Sequence, residues 1–150
     1  MELINDFISV EELRACKTQY QIQYSRTGGN VDSTTSAQYA DCLSRSEDPN
    51  DIRESATLLL DLYYQPDENH QHVLYTLIFT NLKLRNYDVA LNYMNEYSDI
   101  YPNDKDGRAL EEAYDEMVDL TGERNLGLEQ VSFALVFFGG LISLGLALFK

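Results

Sequence analysis

Apolar side chains recur every three to four residues along most of the chain, in segments separated by short polar breaks that contain glycine or proline. This spacing places the apolar positions on one face of a helix, whereas the period-two alternation typical of strands is rare. We therefore predict an all-α fold with six helices. The predicted helices run from Val10 to Thr27, Thr34 to Arg45, Asn50 to Tyr64, Glu68 to Leu84, Tyr87 to Tyr101, and from the break at Pro102 and Asn103 to Thr121.

Capping residues mark the starts of two of these helices. Ser9 followed by Glu12 predicts a capping box, in which the serine hydroxyl accepts a hydrogen bond from the third helical N–H and Glu12 reaches back to the cap. Asp48 predicts a second cap, because Pro49 follows it at the first helical position, where a missing N–H costs nothing.

Three pairs of apolar residues are separated by the same number of positions. Leu43 and Leu77, Ala56 and Ala90, and Leu60 and Met94 each lie 34 residues apart. This is the period of the tetratricopeptide repeat, a helical hairpin in which a small alanine lets the two helices approach closely. The second to fifth helices are therefore predicted to form two such repeats. Because repeats bury their faces only against neighbours, the first and sixth helices are expected to cap the six-helix bundle.

A long uncharged segment stands at the end of the chain. Val131 to Phe149 comprises 19 residues without a charge, and a helix of that length is about 28 Å long, close to the roughly 30 Å hydrocarbon thickness of a bilayer. A buried core helix is the alternative, but such a helix is rarely apolar on every face. The sequence predicts an N-terminal arm at residues 1–8, a helical domain at 9–122, a linker at 123–129 and a transmembrane tail anchor at 130–150.

The position of the predicted span indicates the topology. A span at the end of the chain is inserted after translation, so the domain before it is expected to stay in the cytosol. The acidic N-terminus also lacks the basic region of a signal peptide. Because a cytosolic chain keeps its thiols reduced, Cys16 and Cys42 are predicted to be reduced packing residues.

Small residues recur at a spacing of four within the predicted span. Gly139, Ser143 and Ala147 fall on one face, a pattern that lets membrane helices approach closely. Self-association into a homo-oligomer is one interpretation of this pattern. The other is that small residues are common in any membrane helix.

Charge and composition exclude several functions. The net charge of −14 argues against nucleic acid and anionic headgroups as partners, so the lipid bilayer is contacted only through the C-terminal helix. His70 and His72 fall on different sides of a helix and predict neither a metal pair nor a triad. The run from Asn103 to Gly107 is rich in acidic residues like a calcium loop, but Ala113 stands where the bidentate glutamate is required. We predict no enzyme activity, no cofactor and no metal.

A partner-binding groove is predicted on the concave face of the repeats, which the first helix of each repeat lines. Its apolar centre and few charges suit a peptide with one or two hydrophobic anchors. Phe79→Ala or Leu82→Asp is expected to abolish recruitment of the partner while the domain stays folded. Core packing of the apolar residues, and solvation of the basic ones, are the alternatives. The predicted groove residues are Gln38, Asp41, Arg45, Tyr75, Phe79, Leu82 and Lys83.

Four segments follow one another in the order and spacing of a known family. They are SVEEL at residues 9–13, QYADCLSRS at 38–46, NDIRESATLLLDL at 50–62 and LYTLIFTNLKLRNYDVALNYM at 74–94. Together with the repeats and the tail anchor, these segments make the whole chain resemble the mitochondrial fission 1 protein family. The resemblance lies in their order, since no single motif is highly specific.

The resemblance implies a non-enzymatic adaptor on the cytosolic face of the mitochondrial outer membrane, and also of the peroxisomal membrane. Such an adaptor brings a dynamin-related GTPase to scission sites, directly or through a bridging protein. It also implies that Asn81 belongs to the groove with Arg45 and Lys83, and that an N-terminal arm regulates access to the groove. A frayed terminus is the alternative for the arm. The apolar residues of this arm are Leu3, Ile4, Phe7 and Ile8.

The chain also departs from the family pattern. Asp41 stands where the family usually has Trp, Thr80 where it usually has Gly, and Leu82 where it often has Tyr, so the partner surface is expected to differ. Lys150 alone follows the span, whereas the resemblance implies a more basic flank that directs the tail to mitochondria. The membrane into which the tail inserts therefore stays open between mitochondria, peroxisomes and the endoplasmic reticulum. The alternative function is a tail-anchored receptor for chaperones or imported clients, which requires several inward Lys and Arg residues that clamp a carboxylate.

Overall fold

Six α-helices are present in the computed structural model, which describes residues 2–65 and 69–121. The predicted all-α class and the predicted order of helices are confirmed. Their boundaries differ from the predicted ones by a few residues at most, and the predicted break at Pro66 lies outside the described residues. The helices are α1 (Val10–Thr27), α2 (Ser33–Ser44), α3 (Pro49–Tyr63), α4 (His70–Lys83), α5 (Tyr87–Ile100) and α6 (Lys105–Thr121).

The two predicted N-caps are present, Ser9 at the start of α1 and Asp48 at the start of α3. The Ser9 hydroxyl accepts a hydrogen bond from the Glu12 N–H at 3.1 Å and donates one to the Glu12 carboxylate at 3.0 Å. At the start of α3 the Asp48 carboxylate accepts from the N–H of Asn50 at 2.9 Å. Each cap satisfies an N–H that has no partner within the helix, and this fixes where the helix begins.

The helices pack as two stacked hairpins with a helix at either end. α2 packs with α3 and α4 packs with α5, and the two hairpins meet through α3 and α4 and through α2 and α4. α1 packs against α2, and α6 packs against α5 and α4. Of the residues that repeat at 34 positions, Leu43, Leu77, Ala56, Ala90 and Met94 are buried, whereas Leu60 is partly exposed. The hairpins can approach closely because the alanines leave room for their neighbours.

Two apolar clusters form the core of the described residues. The smaller one joins α2, α3 and α4, and it includes Ala40, Leu59 and Leu77. The larger one joins α4, α5 and α6 and also takes in Ile4, which lies before the first helix. Helix α4 contributes to both clusters, so most of its side chains are buried on one face or another.

The two cysteines are joined. Cys16 of α1 and Cys42 of α2 form a disulfide, and their Cα atoms are 6.6 Å apart. The prediction that both are reduced packing residues is therefore wrong for this structure. The physical reason is the packing of α1 on α2, which brings the two Cα atoms within the range that a disulfide spans.

Several predicted features lie outside the described residues. They are the linker at 123–129 and the tail anchor at 130–150, including Gly139, Ser143 and Ala147. Within residues 2–65 and 69–121, no helix combines the length and the apolar character that crossing a membrane requires.

Candidate functional site

A groove runs between α2 and α4, and the N-terminal arm lies over it. The arm is described from residue 2 to residue 8. Residues of the arm and of both helices enclose a cavity of about 120 Å³. The residues that line this cavity define the groove. They are Asp41 and Ser44 of α2, Arg45 directly after α2, Tyr75, Thr76 and Phe79 of α4, and Leu3 and Asp6 of the arm.

The arm is seated by one apolar anchor and one backbone hydrogen bond. Ile4 is only 6% exposed and belongs to the larger core cluster. The N–H of Ile8 donates to the carbonyl of Arg45 at 3.0 Å, and this bond fixes the arm at the C-terminal end of α2. Phe7, by contrast, is 44% exposed. The arm is thus a short apolar peptide held in a groove that its own chain supplies.

Lys83 connects the arm to both helices. Its ammonium donates to the carbonyls of Ser44 at 2.7 Å and Ser46 at 3.1 Å, where α2 ends and the negative end of its dipole lies. Its Nζ atom also lies 4.8 Å from the centre of the Phe7 ring and 5.4 Å from that of the Phe79 ring. Both distances are within the range of cation–π attraction. Lys83 is therefore not a solvated charge.

The pKa of Lys83 is lowered to about 8. Burial is the main cause, since it disfavours the charged form, and the Arg45 guanidinium adds repulsion. The carboxylates of Glu47 and Asp6 act in the opposite direction. The groove therefore contains a lysine that titrates closer to neutral pH than an exposed one.

Asp41 and Arg45 form the polar edge of the groove. Their side chains pair at 3.5 Å, four residues apart at the C-terminal end of α2. The imidazole of His72 on α4 lies 3.9 Å from the other oxygen of the Asp41 carboxylate. Asp41 thus connects α2 and α4 at the position where the family resemblance implies a tryptophan.

Tyr75 and Gln38 extend the site beyond the arm. Tyr75 is partly buried, and burial together with the nearby carboxylates of Asp106 and Asp41 raises the pKa of its hydroxyl. Gln38 is exposed and lines a second cavity of about 370 Å³, which lies between α1, α2 and α4. These two side chains are accessible to a partner even with the arm in place.

Two predicted groove residues do not line the surface. Asn81 and Leu82 are both 0% exposed. Leu82 lies one turn after Ile78, on the face of α4 that belongs to the larger core cluster. The Asn81 amide donates to the Leu77 carbonyl at 2.8 Å within the same helix. The structure therefore buries both side chains in the domain, whereas Phe79 lines the groove at 5% exposure under the arm.

Three residues that line the groove are not among those predicted from the sequence, namely Asp6, Ser44 and Thr76. Thr76 lies three residues before Phe79, a helical spacing that could have revealed it. Ser44 and Asp6 gave no such signal. Ser44 lines the groove because α2 ends there, and Asp6 lines it because the arm crosses the groove.

The two histidines of α4 lie apart and face different acidic residues. His70 lies 3.8 Å from Glu96, on the other side of α4 from the His72 and Asp41 pair. In the described part of the chain, no group of three His, Cys, Asp or Glu residues could hold a metal ion. What the groove offers is a narrow apolar floor with charged edges, which suits an apolar side chain flanked by polar groups.

The chain is similar to curated proteins of one kind. No protein-family model matches it. It is 30% identical to the mitochondrial fission 1 protein of Homo sapiens over 151 aligned positions, which cover 99% of this chain and 96% of that protein. It is 31% identical to the mitochondrial fission 1 protein of Candida glabrata over 110 positions, which cover 73% of this chain and 70% of that protein.

Solved structures share the fold. The crystal structure of the fission protein Fis1 from Saccharomyces cerevisiae superposes with a TM-score of 0.69 at 24% identity, covering 82% of this chain and 92% of that one. Yeast Fis1 crystallised with an Mdv1 fragment also superposes with a TM-score of 0.69, at 22% identity, covering 79% and 91%. On the strength of the full-length similarity to the human protein, this chain belongs to the mitochondrial fission 1 protein family.

Proposed function

We propose that this protein is an adaptor for organelle fission. Its tail at residues 130–150 anchors it in the mitochondrial outer membrane with the helical domain in the cytosol. Its groove recruits a dynamin-related GTPase, either directly or through a bridging protein. Membership of the mitochondrial fission 1 protein family supports this role, as does the complex that yeast Fis1 forms with an Mdv1 fragment. Peroxisomes are a second membrane on which the same tail would act.

The seated arm is the observation that carries the proposal. The groove already holds an apolar peptide, because Ile4 is buried against the larger core cluster and the backbone of Ile8 bonds to that of Arg45. A partner segment with one apolar anchor and one backbone contact would use the same features. The arm then acts as an internal competitor, and the affinity for the partner depends on the fraction of molecules in which the arm has left the groove.

Recruitment needs no chemical step. An adaptor confined to one membrane raises the local concentration of a weakly bound partner there, so that several weak contacts hold an assembly together. In this proposal Tyr75 and Phe79 supply the apolar floor, and Asp41 and Arg45 supply the polar edge. Gln38 and Lys83 complete the partner-binding surface, whereas Asn81 and Leu82 are buried inside the domain.

The receptor alternative receives less support from this groove. A carboxylate clamp needs lysine and arginine side chains that are free to bind a client. Lys83 instead donates to the carbonyls of Ser44 and Ser46, and Arg45 pairs with Asp41. Both basic residues that were predicted for the groove are therefore already engaged.

A replacement experiment tests the proposed function. The gene is deleted in the source organism and replaced by the natural sequence, by Tyr75→Asp, or by Arg53→Glu as a control on an exposed face of α3. The division rate of mitochondria is then measured. We expect the deletion and Tyr75→Asp to slow division and the control to restore it. Normal division in the deletion strain would overturn the proposal.

A further inference from the structure

The first helix buries little apolar surface against the rest of the domain, and polar contacts such as the hydrogen bonds of Gln23 with Asp32 and Thr35 help to hold it there. Within the described part of the chain, none of its side chains is buried, and its backbone packs against α2 alone. Tyr20 stacks on Tyr39 with ring centres 4.4 Å apart, and Lys17 approaches Asp51 at 3.4 Å. A helix with so little apolar burial gains little docking energy. The disulfide from Cys16 to Cys42 is the covalent link between α1 and the repeats.

The two sulfurs lie beside an open cavity. Cys16 is partly exposed, Cys42 is 7% exposed, and both line the cavity of about 370 Å³ between α1, α2 and α4. A small oxidant or thiol can therefore reach the pair through this cavity, and Cys16 is the sulfur it meets first. Exposure of this kind distinguishes sulfurs that exchange from sulfurs sealed in a core.

The disulfide and the arm are attached to the same end of α2. Cys42 lies three residues before Arg45, whose carbonyl accepts the hydrogen bond from Ile8. Cys16 lies eight residues after Ile8 in the chain. The segment from Ile8 to Cys16 is therefore fixed to α2 at both ends while the disulfide is intact. When the disulfide opens, the segment loses its covalent link to α2, and noncovalent contacts alone hold the arm and α1 in place.

We propose that Cys16 and Cys42 form a reversible redox site that fastens α1 to α2 and thereby holds the arm in the groove. The consequence for partner binding rests on the proposed function, whereas the redox site itself does not. In the oxidised form the arm has a high local concentration at the groove. In the reduced form α1 loosens, and the arm spends more time away from its seat.

The chemistry balances with common cellular reagents. In oxidation by hydrogen peroxide, the Cys16 thiolate attacks one peroxide oxygen and becomes a sulfenic acid, and hydroxide leaves and is protonated to water. The Cys42 thiolate then attacks that sulfur, forms the disulfide and releases a second hydroxide, which also becomes water. In reduction, a glutathione thiolate attacks Cys16 and releases the Cys42 thiolate. A second glutathione then frees Cys16 and leaves as oxidised glutathione.

Two measurements on the full chain in detergent test the redox site. The chain is first equilibrated in glutathione buffers of graded ratio, the free thiols are alkylated, and the peptides are analysed by mass spectrometry. We expect a peptide that links Cys16 to Cys42 in the oxidising buffers and two alkylated cysteines in the reducing ones, with a reversible transition between them. Two free thiols in every buffer, or a link that no glutathione ratio opens, would overturn the proposal.

The second measurement is amide hydrogen exchange without any partner. We expect reduction to speed exchange in residues 2–8 and 10–27 by about tenfold, while α4 and α5 are unchanged. Cys42→Ser should behave like the reduced chain in both buffers, which controls for direct effects of the reagents. Equal exchange of the arm in the oxidised and reduced chains would overturn its link to the disulfide. Neither readout depends on recruitment, so a failure of the proposed function would show separately.

Discussion

The Nζ atom of Lys83 lies 4.8 Å from the centre of the Phe7 ring. Through the same ammonium, α4 is bonded to the carbonyls of Ser44 and Ser46 at the end of α2. One side chain thus connects the arm and both walls of the groove. The Lys83 ammonium contacts both the arm and the carbonyls at the end of α2. Removal of the arm therefore changes the surroundings of the charge that links the two walls of the groove. The arm and the groove are therefore expected to respond to each other.

The first prediction concerns the anchor of the arm. Ile4→Asp places a charge where the side chain is 6% exposed, and burial of an unpaired carboxylate is costly. We expect the arm to leave the groove, with about tenfold or faster amide exchange in residues 2–8 and unchanged helical content. Asn5→Asp is the matched control, since it adds the same charge at an exposed neighbour. If both variants exchange like the natural chain, Ile4 does not hold the arm.

The second prediction follows from the lowered pKa of Lys83. The folded-state pKa is about 8, and an unfolded lysine titrates near 10.4. Between these values the unfolded chain binds more protons, so the contribution of Lys83 to stability rises with pH. We expect the free energy of unfolding of the natural chain to increase relative to that of Lys83→Met as the pH is raised from 8 to 10.

Denaturant titrations at several pH values check this difference. The titrations of the tyrosines are common to both chains and cancel in the comparison. Lys105→Met, which removes a lysine from an exposed position at the start of α6, serves as the control. A difference between the natural chain and Lys83→Met that falls with pH would contradict the assignment.

The third prediction concerns Gly107 in the first turn of α6. A Cβ atom at this position would lie 2.9 Å from the ring of Tyr97. That ring is itself fixed, because its hydroxyl donates to Asp104 at 2.8 Å and the N–H of Gly107 donates to the same carboxylate oxygen at 3.1 Å. Helix propensity alone would make alanine more stable by about 1 kcal/mol. Overpacking costs about 1–3 kcal/mol, and we expect it to exceed that gain.

Thermal or denaturant unfolding of Gly107→Ala measures the net effect, which we expect to be a loss of stability. Glu111→Ala, at an exposed position of the same helix, is expected to stay within about 0.5 kcal/mol of the natural chain. A more stable Gly107→Ala would mean that Tyr97 can move aside.

The fourth prediction separates the groove from the core. Leu82 is 0% exposed, so Leu82→Ala should cost about 2–5 kcal/mol, and Leu82→Asp should unfold the domain rather than block recruitment alone. Tyr75→Ala removes a partly buried side chain at the groove and should leave the helical content intact. Circular dichroism with thermal melting distinguishes the two. A folded Leu82→Asp domain would restore Leu82 to the partner surface.

The sequence predicted the features that depend on neighbouring residues and missed those that depend on distant ones. Ser9 with Glu12 caps a helix through atoms three residues apart, and periodicity alone located the alanines of the repeat. The pairing of Cys16 with Cys42 depends instead on how two helices face each other. The hydrogen bonds of Lys83 to backbone carbonyls also join residues that are distant in the chain. No pattern of side chains in the sequence predicts which carbonyl at a helix end will accept them. Leu82 was predicted to line the groove but is buried, because α4 packs against neighbours on several sides.

Recruitment of the fission machinery by this domain can be tested by moving the domain to another membrane. Residues 1–129 are fused to an anchor for the plasma membrane in cells of the source organism, and the dynamin-related GTPase is imaged by fluorescence. We expect the GTPase to follow the domain to the plasma membrane, and Tyr75→Asp in the fusion to abolish the shift. A GTPase that keeps its original distribution, while the folded domain accumulates at the new membrane, would show that the domain does not recruit it.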